Sequence, residues 1–543
     1  MRLLRVHVIT ADTCGGLLDG LDLWMRSPFG DYETFEPLCL IGPNGAGKSQ
    51  FLQVLAEIFQ AVFHTAVPEE ERIEGNPSLQ FEVEYLIRPH GTDSDVHVRI
   101  ARLAEGRRKP ALVIQTRVDG EWVSCDLTAH ATLALLPPRV VGYTSGDNET
   151  LSLPFLLSRG GYADVVGRRA LAQEVDQAGV PDTRLLWIDY GTHLEVLVAN
   201  LLLGANEQRI ALLQDARLHD MHSFRCIIQL AHSAAPKAPV RRRSASTRKG
   251  IQLTQELEDH LDRLRRCATC YAYEEKTETY IFDFFVDDQT RVAFGAFWSS
   301  TLELYSAFHK LSMLNDLAIP KTTRERFRKE MAARLALRLP EPQDEEKVFR
   351  FERVNFFAQS NGEIVDYVSL SDGEHQLAQI LGMFGMVSLP NALFLLDEPE
   401  SHFNPQWRVK FMTRVLDMPT SDGTRRDVSG ASQQDCLLTT HAPFVPSDMP
   451  RDRVFIFSKD TETGVVTVRN PDIETYGTTF DTIIEECFGV RPPISEEPRQ
   501  DIQKLMESND PEEITTGMMR LGYSVEKAFL ADRLRQLTKK EEA

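Results

Sequence analysis

The sequence predicts an α/β fold with a mixed core sheet, an antiparallel β subdomain, a mainly helical insertion and a small C-terminal helical tail. Two short apolar segments, Pro37–Ile41 and Leu393–Leu396, have the composition of buried strands and run directly into glycine-rich or acidic residues. Between residues 79 and 149, apolar and polar residues alternate, as they do in an antiparallel sheet with one buried face. The core sheet is therefore expected to draw strands from both halves of the chain.

Length and composition set the class of protein. The 543 residues exceed what one hydrophobic core normally organises, so we expect two to four structural units. With 42% hydrophobic and 26% charged residues, the composition is that of an ordinary globular protein. Apolar runs are too short for a signal peptide or a membrane span, which predicts a soluble, cytoplasmic protein. The eight cysteines, including the pair Cys267 and Cys270, are interpreted as structural thiols.

Four units follow from the changes of pattern along the chain. The insertion is placed where helical stretches interrupt the strands, and the tail is expected to be available for partner docking, with Ser524 as the N-cap of its last helix. The predicted units are an N-terminal lobe at 1–149, the insertion at 150–345, a C-terminal lobe at 346–489 and the tail at 490–543.

The net charge of −20 argues against a surface that wraps nucleic acid, because phosphate contacts need a positive face. Any nucleic-acid site must be local, and the best candidate is the run 237–249, which contains no acidic residue. Two interpretations stay open, a solvated loop and a phosphate-binding segment. The basic residues that would bind are Arg241, Arg242, Arg243, Arg248 and Lys249.

The segment GPNGAGKS at 42–49 lies between the first apolar strand and an amphipathic helix. Glycines in this pattern allow successive backbone N–H groups to point at the phosphates of a nucleotide. Lys48 would neutralise the β and γ phosphates, and Ser49 would ligate Mg²⁺. We therefore predict binding of ATP with Mg²⁺ by Gly42, Pro43, Asn44, Gly45, Ala46, Gly47, Lys48 and Ser49.

Two carboxylates follow the second apolar strand. Asp397 would hold the Mg²⁺ shell, and Glu398 would accept a proton from the water that attacks the γ-phosphorus, or would orient that water. The alternative is a strand that merely ends in solvated acids. Beside a phosphate loop, the catalytic interpretation is the stronger one.

The segment LSDGEHQ at 370–376 opens a helix with apolar residues on one side. Ser371 and the backbone of Gly373 lie at its N-terminus, where unpaired N–H groups favour an anion. Because the phosphate loop already holds the phosphates of its own nucleotide, the simplest ligand is a phosphate held by a second subunit.

These motifs resemble the ABC superfamily of ATPases, in which LSDGE is similar to the signature motif of the SMC-, RecF- and Rad50-related branch. The resemblance implies a homodimer that closes around two ATP molecules. It implies that His441, at the end of CLLTTH, is the catalytic switch histidine, and that the segment 401–405 is the loop that contacts the partner subunit. No glutamine occupies the Q-loop position near 143–148, where Asp147 and Asn148 are weak substitutes. Tyr32 and Phe35 are left open between adenine stacking and core packing.

Length, an insertion without a long coiled coil, and the segments DRVFIFSK and ETYGTTFDTIIEECFG also resemble the PtuA family, the ATPases of Septu and retron-associated anti-phage systems. This resemblance implies an ATP-dependent sensor and scaffold that controls a separate HNH nuclease of the PtuB kind. A retron reverse transcriptase with its RNA and single-stranded DNA is a further implied partner, and higher oligomers than the dimer are allowed.

Other functions remain alternatives. The chain contains no HNH-like cluster and no Toprim-like acidic set, so we expect no nuclease site of its own. This weighs against an OLD-like ATPase that carries its own nuclease. A RecF- or Rad50-like repair ATPase, a transporter subunit and a head that binds ATP without hydrolysing it are the remaining candidates.

Overall fold

The computed structural model describes residues 1–30, 32–104, 110–146, 149–172, 179–231, 251, 253–332, 342–420, 423–427 and 430–541. The strands of these ranges are, in chain order, β1 Arg2–Thr10, β2 Leu21–Trp24, β3 Leu38–Ile41, β4 Gln80–Ile87, β5 Val96–Leu103, β6 Ala111–Val118, β7 Glu121–Ser124, β8 Val140–Thr144, β9 Leu185–Ile188, β10 Leu218–Gln229, β11 Cys270–Glu274, β12 Thr279–Phe285, β13 Phe349–Ala358, β14 Ile364–Asp366, β15 Leu393–Asp397, β16 Pro419–Thr420, β17 Gly423–Thr424, β18 Asp435–Thr440, β19 Val454–Lys459 and β20 Val466–Arg469.

The helices of the same ranges are α1 Lys48–Ala66, α2 His130–Leu133, α3 Glu149–Ala172, α4 His193–Leu203, α5 Asn206–Leu213, α6 Gln255–Cys267, α7 Asp288–Gly295, α8 Thr301–Ser312, α9 Lys321–Ala332, α10 Asp372–Met386, α11 Pro405–Leu416, α12 Phe444–Ser447, α13 Phe480–Phe488, α14 Glu496–Glu507, α15 Pro511–Arg520 and α16 Val525–Glu541.

A central sheet carries the fold, with the strand order β20-β19-β3-β18-β15-β8-β9. Six of its strands are parallel, and β20 pairs antiparallel at one edge. The two apolar strands predicted from the sequence, β3 and β15, both lie in this sheet, and β18 lies between them. The α/β prediction is confirmed.

Side chains of the central strands alternate between two hydrophobic cores. Phe394 and Leu396 of β15 belong to the core that contains α4 and α10, whereas Leu393 and Leu395 belong to the core that contains α1. Helices thus cover both faces of the sheet, which explains why its strands are continuously apolar. In β15 the only polar residue, Asp397, lies at the end of the strand.

A six-stranded antiparallel sheet, β2-β1-β4-β5-β6-β7, lies beside this core. It confirms the prediction made from the alternating region for β4, β5 and β6. The prediction was wrong for the end of that region, because 140–144 forms β8, which pairs parallel with β15 in the central sheet. All five residues of β8 are buried, so the sequence pattern there was that of a core strand.

The described part of the region predicted as a mainly helical insertion contributes helices and four strands. β9 extends the central sheet, and β10, β11 and β12 join β13 and β14 in a five-stranded antiparallel sheet. The apolar and aromatic residues of 279–297 predict a strand-like region, which is correct for β12 and wrong for the part that forms α7. Asp287 accepts a hydrogen bond from the Thr290 backbone N–H and so begins α7.

The tail helices α14, α15 and α16 enclose a small core of their own, formed by Ile502, Leu505, Ile514 and Leu530. Ser524 Oγ accepts a hydrogen bond from the Lys527 backbone N–H at 3.1 Å, which confirms it as the N-cap of α16. Of the cysteine pair, Cys267 is buried, Cys270 is exposed, and both are free thiols. Within the described ranges, every helix is too short or too polar to cross a membrane.

Candidate functional site

The carboxyl ends of β3, β18 and β15 meet at one edge of the central sheet, because parallel neighbours end on the same side. β3 leads into the phosphate loop at 42–49, β15 ends at Asp397, and β18 ends just before His441. Such an edge is the usual ligand site of parallel α/β sheets. The structure therefore assembles at this edge residues from both halves of the chain.

The phosphate loop needs glycine at defined positions. Gly42 has φ +139°, and a Cβ there would lie 2.2 Å from the carbonyl oxygen of Phe457 in β19. Gly47, with φ +98°, is the N-cap of α1, and a Cβ on it would approach Leu18 to 3.1 Å. Side chains would block the loop at these two points, so its backbone can approach phosphates only as glycine.

Lys48 lies folded across the loop. Its Nζ donates hydrogen bonds to the carbonyl oxygens of Gly42 and Pro43, at 2.8 and 3.0 Å. Burial lowers the pKa of Lys48 to about 8, against the opposing effect of the Glu398 and Asp397 carboxylates. The ammonium is desolvated and would gain from an anionic ligand such as a phosphate.

Ser49, Asp397 and Thr439 form a short hydrogen-bonded chain. Ser49 Oγ and Thr439 Oγ1 both donate to Asp397 Oδ1, at 2.9 and 2.5 Å. Asp397 is almost fully buried, and burial raises its pKa despite these two donors. A buried carboxylate beside a hydroxyl, with its charge poorly solvated, would be stabilised by a hard cation.

Glu398 and His441 are the residues that follow β15 and β18, and their side chains lie close to each other. Glu398 Oε1 lies 3.3 Å from His441 Nε2, and both side chains are partly exposed. The backbone of Glu398 has φ +48°, a strained value for a non-glycine residue, and its N–H donates to Thr439 Oγ1 at 3.0 Å. Burial, reinforced by Lys48, lowers the pKa of His441 and favours its neutral imidazole.

Glu400 lies beneath the site rather than in it. Its carboxylate is buried and hydrogen-bonded to the hydroxyl of Thr440, and burial raises the pKa of Glu400 to about 7. Its Oε2 has no hydrogen-bond partner among the described residues. The carboxyl group of Glu400 can therefore take up a proton near neutral pH, and it connects the segment after β15 to the last residue of β18.

The segment after Glu400 contacts β8 and the signature helix α10. Ser401 Oγ donates to Ser145 Oγ at 2.7 Å, and His402 Nε2 lies 3.1 Å from the Ser145 carbonyl oxygen. The His402 N–H donates to Gln376 Oε1 of α10 at 3.2 Å. Hydrogen bonds thus connect Ser145 at the end of β8, the segment 401–402 and the signature helix α10.

The N-terminus of α10 is closed by a capping box. Ser371 Oγ accepts from the Glu374 N–H at 3.4 Å, and Glu374 Oε2 accepts from the N–H and the hydroxyl of Ser371, both at 2.8 Å. The chain's own carboxylate therefore occupies part of the position at which the sequence predicts a phosphate. A ligand anion would have to displace Glu374 from these donors.

The residues present fit a nucleoside triphosphate with Mg²⁺. They supply a glycine loop of phosphate-binding shape, a helix of 19 residues that begins at Lys48, a desolvated ammonium, and a hydroxyl beside a buried carboxylate. No cluster of three or more His, Cys, Asp or Glu side chains with metal-binding spacing occurs in the described part of the chain. A hydroxyl, one carboxylate and phosphate oxygens are the set that Mg²⁺ uses at such sites.

The structure brings together Lys48, Ser49, Asp397, Glu398 and His441. Ser371 and Gly373 lie elsewhere: within the described ranges, no hydrogen bond or ion pair joins them to the phosphate loop. The basic run with Arg241, Arg242, Arg243, Arg248 and Lys249 lies outside the described residues, as do Asp147 and Asn148.

The two aromatic residues considered for adenine lie at the opposite end of the sheet. Phe35 is buried against Phe384 and Arg425, so core packing is the correct interpretation. Tyr32 lies over Arg26, which pairs with Asp435 at the amino end of β18. Neither ring is near the carboxyl edge.

Thr439 and Glu400 have no role in the site predicted from the sequence. The sequence did contain a signal for both, since two threonines end an otherwise apolar strand and Glu400 follows Glu398 by two residues. Their roles depend on the register in which Asp397 lies opposite Thr439, which only the folded sheet specifies.

Comparison with known families agrees with this site. Residues 288–448 match the family described as "AAA domain, putative AbiEii toxin, Type IV TA system". The match is shorter than half of the chain and includes the signature, both strand-end carboxylates and His441, but not the phosphate loop. No curated protein matches the sequence. The geometry and this match together support a P-loop ATPase domain of the ABC- and SMC-like kind.

Proposed function

We propose that two copies of the chain close head to tail around two ATP molecules and that this closure acts as a switch. The composite site joins Lys48, Ser49, Asp397, Glu398 and His441 of one copy to Ser371 and Gly373 of the other. The observation that carries the proposal is the exposure of Ser371, which none of the described hydrogen bonds links to the chain's own phosphate loop. A helix N-terminus that faces solvent can bind a phosphate held by a second molecule once that phosphate displaces Glu374 from the donors of Ser371.

Each site residue has one task in hydrolysis. Lys48 neutralises phosphate charge, and Glu398 accepts a proton from, or orients, the attacking water. The neutral His441, 3.3 Å from Glu398, positions that carboxylate and contacts the γ-phosphate. Ser49 and Asp397 would hold Mg²⁺, which when bound supplies further neutralisation of the phosphates.

The proposed biological role is that of a sensor and scaffold in anti-phage defence, as in the PtuA family. In this role ATP-dependent closure controls a separate HNH nuclease of the PtuB kind, with or without a retron reverse transcriptase and its nucleic acid. The motif order, the insertion and the tail support this proposal. The description of the matched family, which names a toxin of a toxin–antitoxin system, also favours a regulated effector pair over an enzyme that works alone.

Closure is tested with the variant Glu398→Gln. Because loss of a general base slows hydrolysis by about 10²- to 10⁴-fold without removing the phosphate contacts, this variant should accumulate as an ATP-bound dimer. Light scattering with and without Mg-ATP measures the mass. Turnover and mass equal to those of the wild type would refute the assignment of Glu398.

The interface is tested by adding Ser371→Arg to the Glu398→Gln background. The bulky cation should block closure while ATP binding by each monomer persists. Ser360→Arg is the matched control, because Ser360 is an exposed serine in the loop between β13 and β14. If both double variants dimerise equally, the signature helix does not form the composite site.

The defence role is tested with the partner. The full chain is co-expressed with an HNH nuclease from the same genomic neighbourhood, and we expect co-purification and a nuclease activity that differs between wild type and Glu398→Gln. ATPase activity that is stimulated by DNA in the isolated chain, without such a complex, would instead support the repair class.

A further inference from the structure

A cavity of about 360 Å³ lies between the phosphate-loop helix α1, the long helix α3 and the helix α9 of the insertion. It is separate from the carboxyl edge, since Glu57 and Gln60, which line it from α1, lie 9 and 12 residues after Lys48. At a rise of about 1.5 Å per residue, they are on the order of 14 and 18 Å along the helix. Nucleotide binding therefore does not explain the presence of this cavity.

One wall of the cavity is apolar. Leu153, Leu156 and Leu157 of α3 recur at helical spacing on one face, together with Ile73 and Phe327 on the facing segments. All five side chains are only partly buried, although an apolar stripe on a helix normally packs against a neighbour. The wall is therefore suited to the apolar body of a ligand.

A second set of lining residues, the acidic wall, comes from several segments, including the helix α3 that carries the leucines. Its four carboxylates line the cavity together with the guanidinium of Arg324; they belong to Glu57, Glu74, Asp164 and Asp316. The Glu57 carboxylate already accepts hydrogen bonds from Thr13, Gln53 and Asn76, so the other three carry the charge available to a ligand. Burial raises the pKa of Asp316 in spite of the nearby Arg159 and Arg324. A cation placed in the cavity would stabilise the ionised form of this carboxylate.

Gln60 supplies an independent indication of a ligand with hydrogen-bond donors. The side chain is 1% exposed, and its Nε2 donates to the Pro154 carbonyl oxygen at 3.1 Å. Its Oε1 has no hydrogen-bond partner among the described residues. An unpaired buried acceptor destabilises the fold, and a hydrogen-bond donor from a ligand would relieve this.

Glycine leaves the space beside this acceptor free of a side chain. A Cβ on Gly75 would lie 2.8 Å from Gln60 Oε1, and Gly75 has φ +75°. On the opposite side Gly160 also lines the cavity, and a Cβ there would meet no atom within 4 Å. Two glycines thus border the same space.

We propose that this cavity binds a small organic cation with an apolar body, such as an arylalkyl ammonium. The ammonium lies between the acidic wall and Gln60 Oε1, and the apolar body lies against the leucines of α3. Because α1 begins at the phosphate loop, the bound cation bridges the nucleotide-binding helix to α3 and α9.

Binding is measured by isothermal titration of the full chain with phenethylammonium. The uncharged 2-phenylethanol and the anionic phenylacetate, which share the apolar body, are the comparison ligands. We expect saturable binding of the amine. The alcohol should bind at least about tenfold more weakly, which corresponds to a difference of about 1.4 kcal/mol in binding free energy. Binding of the alcohol as tight as that of the amine would overturn the assignment to a cation.

Gly160→Leu should abolish the binding by filling the cavity, and its helix position favours leucine over glycine. Glu74→Gln removes one exposed carboxylate of the acidic wall and should weaken binding by about threefold. Glu69→Gln is its control, because Glu69 is an exposed glutamate that does not line the cavity. The absence of saturable binding by the wild type, or equal affinity in the wild type, Gly160→Leu and Glu74→Gln proteins, would overturn the proposal.

Discussion

Ser49 donates a 2.9 Å hydrogen bond to Asp397, a residue 348 positions further along the chain. The bond fixes the hydroxyl at the start of α1 against the carboxylate at the end of β15. It thereby sets the distance between the two proposed Mg²⁺ ligands before any ligand binds, so a change at either residue should affect the use of the metal.

We predict that Asp397→Asn raises the Mg²⁺ concentration needed for half-maximal ATP hydrolysis by about 10- to 100-fold, because an amide oxygen carries no charge for the cation. A Mg²⁺ titration of the initial rate measures this. Asp472→Asn changes an exposed aspartate that pairs with Arg469 and should leave the titration unchanged. Identical titrations for both variants would contradict the metal assignment.

Two glycines of the phosphate loop should respond differently to the same substitution. Gly42→Ala places a Cβ 2.2 Å from a backbone oxygen, whereas a Cβ on Gly45 meets nothing within 4 Å at φ +75°. We expect Gly45→Ala to cost about 1–2 kcal/mol of unfolding free energy from backbone strain alone. Gly42→Ala should cost at least about 3 kcal/mol. Urea denaturation compares them, and equal losses would contradict the clash with β19.

ATP affinity should fall with rising pH in the range just above neutrality. Burial lowers the pKa of Lys48 to about 8, so the ammonium that attracts phosphate loses its proton as pH rises from 7.5 to 9. The loss should weaken ATP binding by about tenfold, in proportion to the charged fraction. Titration with a fluorescent ATP analogue tests this. Lys48→Met should bind weakly at every pH, and a flat profile in the wild type would refute the shifted pKa.

Glu400 should destabilise the folded chain at alkaline pH. Burial raises the pKa of Glu400 to about 7, so the folded chain retains a proton that the unfolded chain releases. The contribution of this group to stability is complete below its ordinary pKa and is lost as pH rises through about 7. Relative to the wild type, Glu400→Gln should therefore gain about 2 kcal/mol of unfolding free energy between pH 5 and pH 8. The exposed control Glu462→Gln should show no such difference in urea denaturation.

The sequence alone predicts those features that depend on residues close together in the chain. Glycines that permit the phosphate loop, apolar runs that make β3 and β15, and the carboxylates at the end of β15 could all be located without a structure. Ser371 and Glu374 also formed a recognisable capping-box pattern, which the anion interpretation did not include. The competition between Glu374 and a phosphate follows from that pattern.

Other features depended on pairing between distant segments. The placement of β8 beside β15 could not be read from an alternating pattern, since a strand buried on both faces has no polar side to show. The role of Thr439 depends on its position opposite Asp397, and the buried Glu400 carboxylate finds its hydrogen-bond donor in Thr440 of the neighbouring strand. These are consequences of sheet order, which composition and periodicity do not encode.

The position of β3 has a consequence for the newly made protein. Its two neighbours in the sheet, β18 and β19, both begin at or after residue 435. While the ribosome is still translating the insertion, the strand that holds the phosphate loop has neither neighbour, and its apolar side chains lack their final cover. Nucleotide binding should therefore start only once synthesis has passed about four-fifths of the chain.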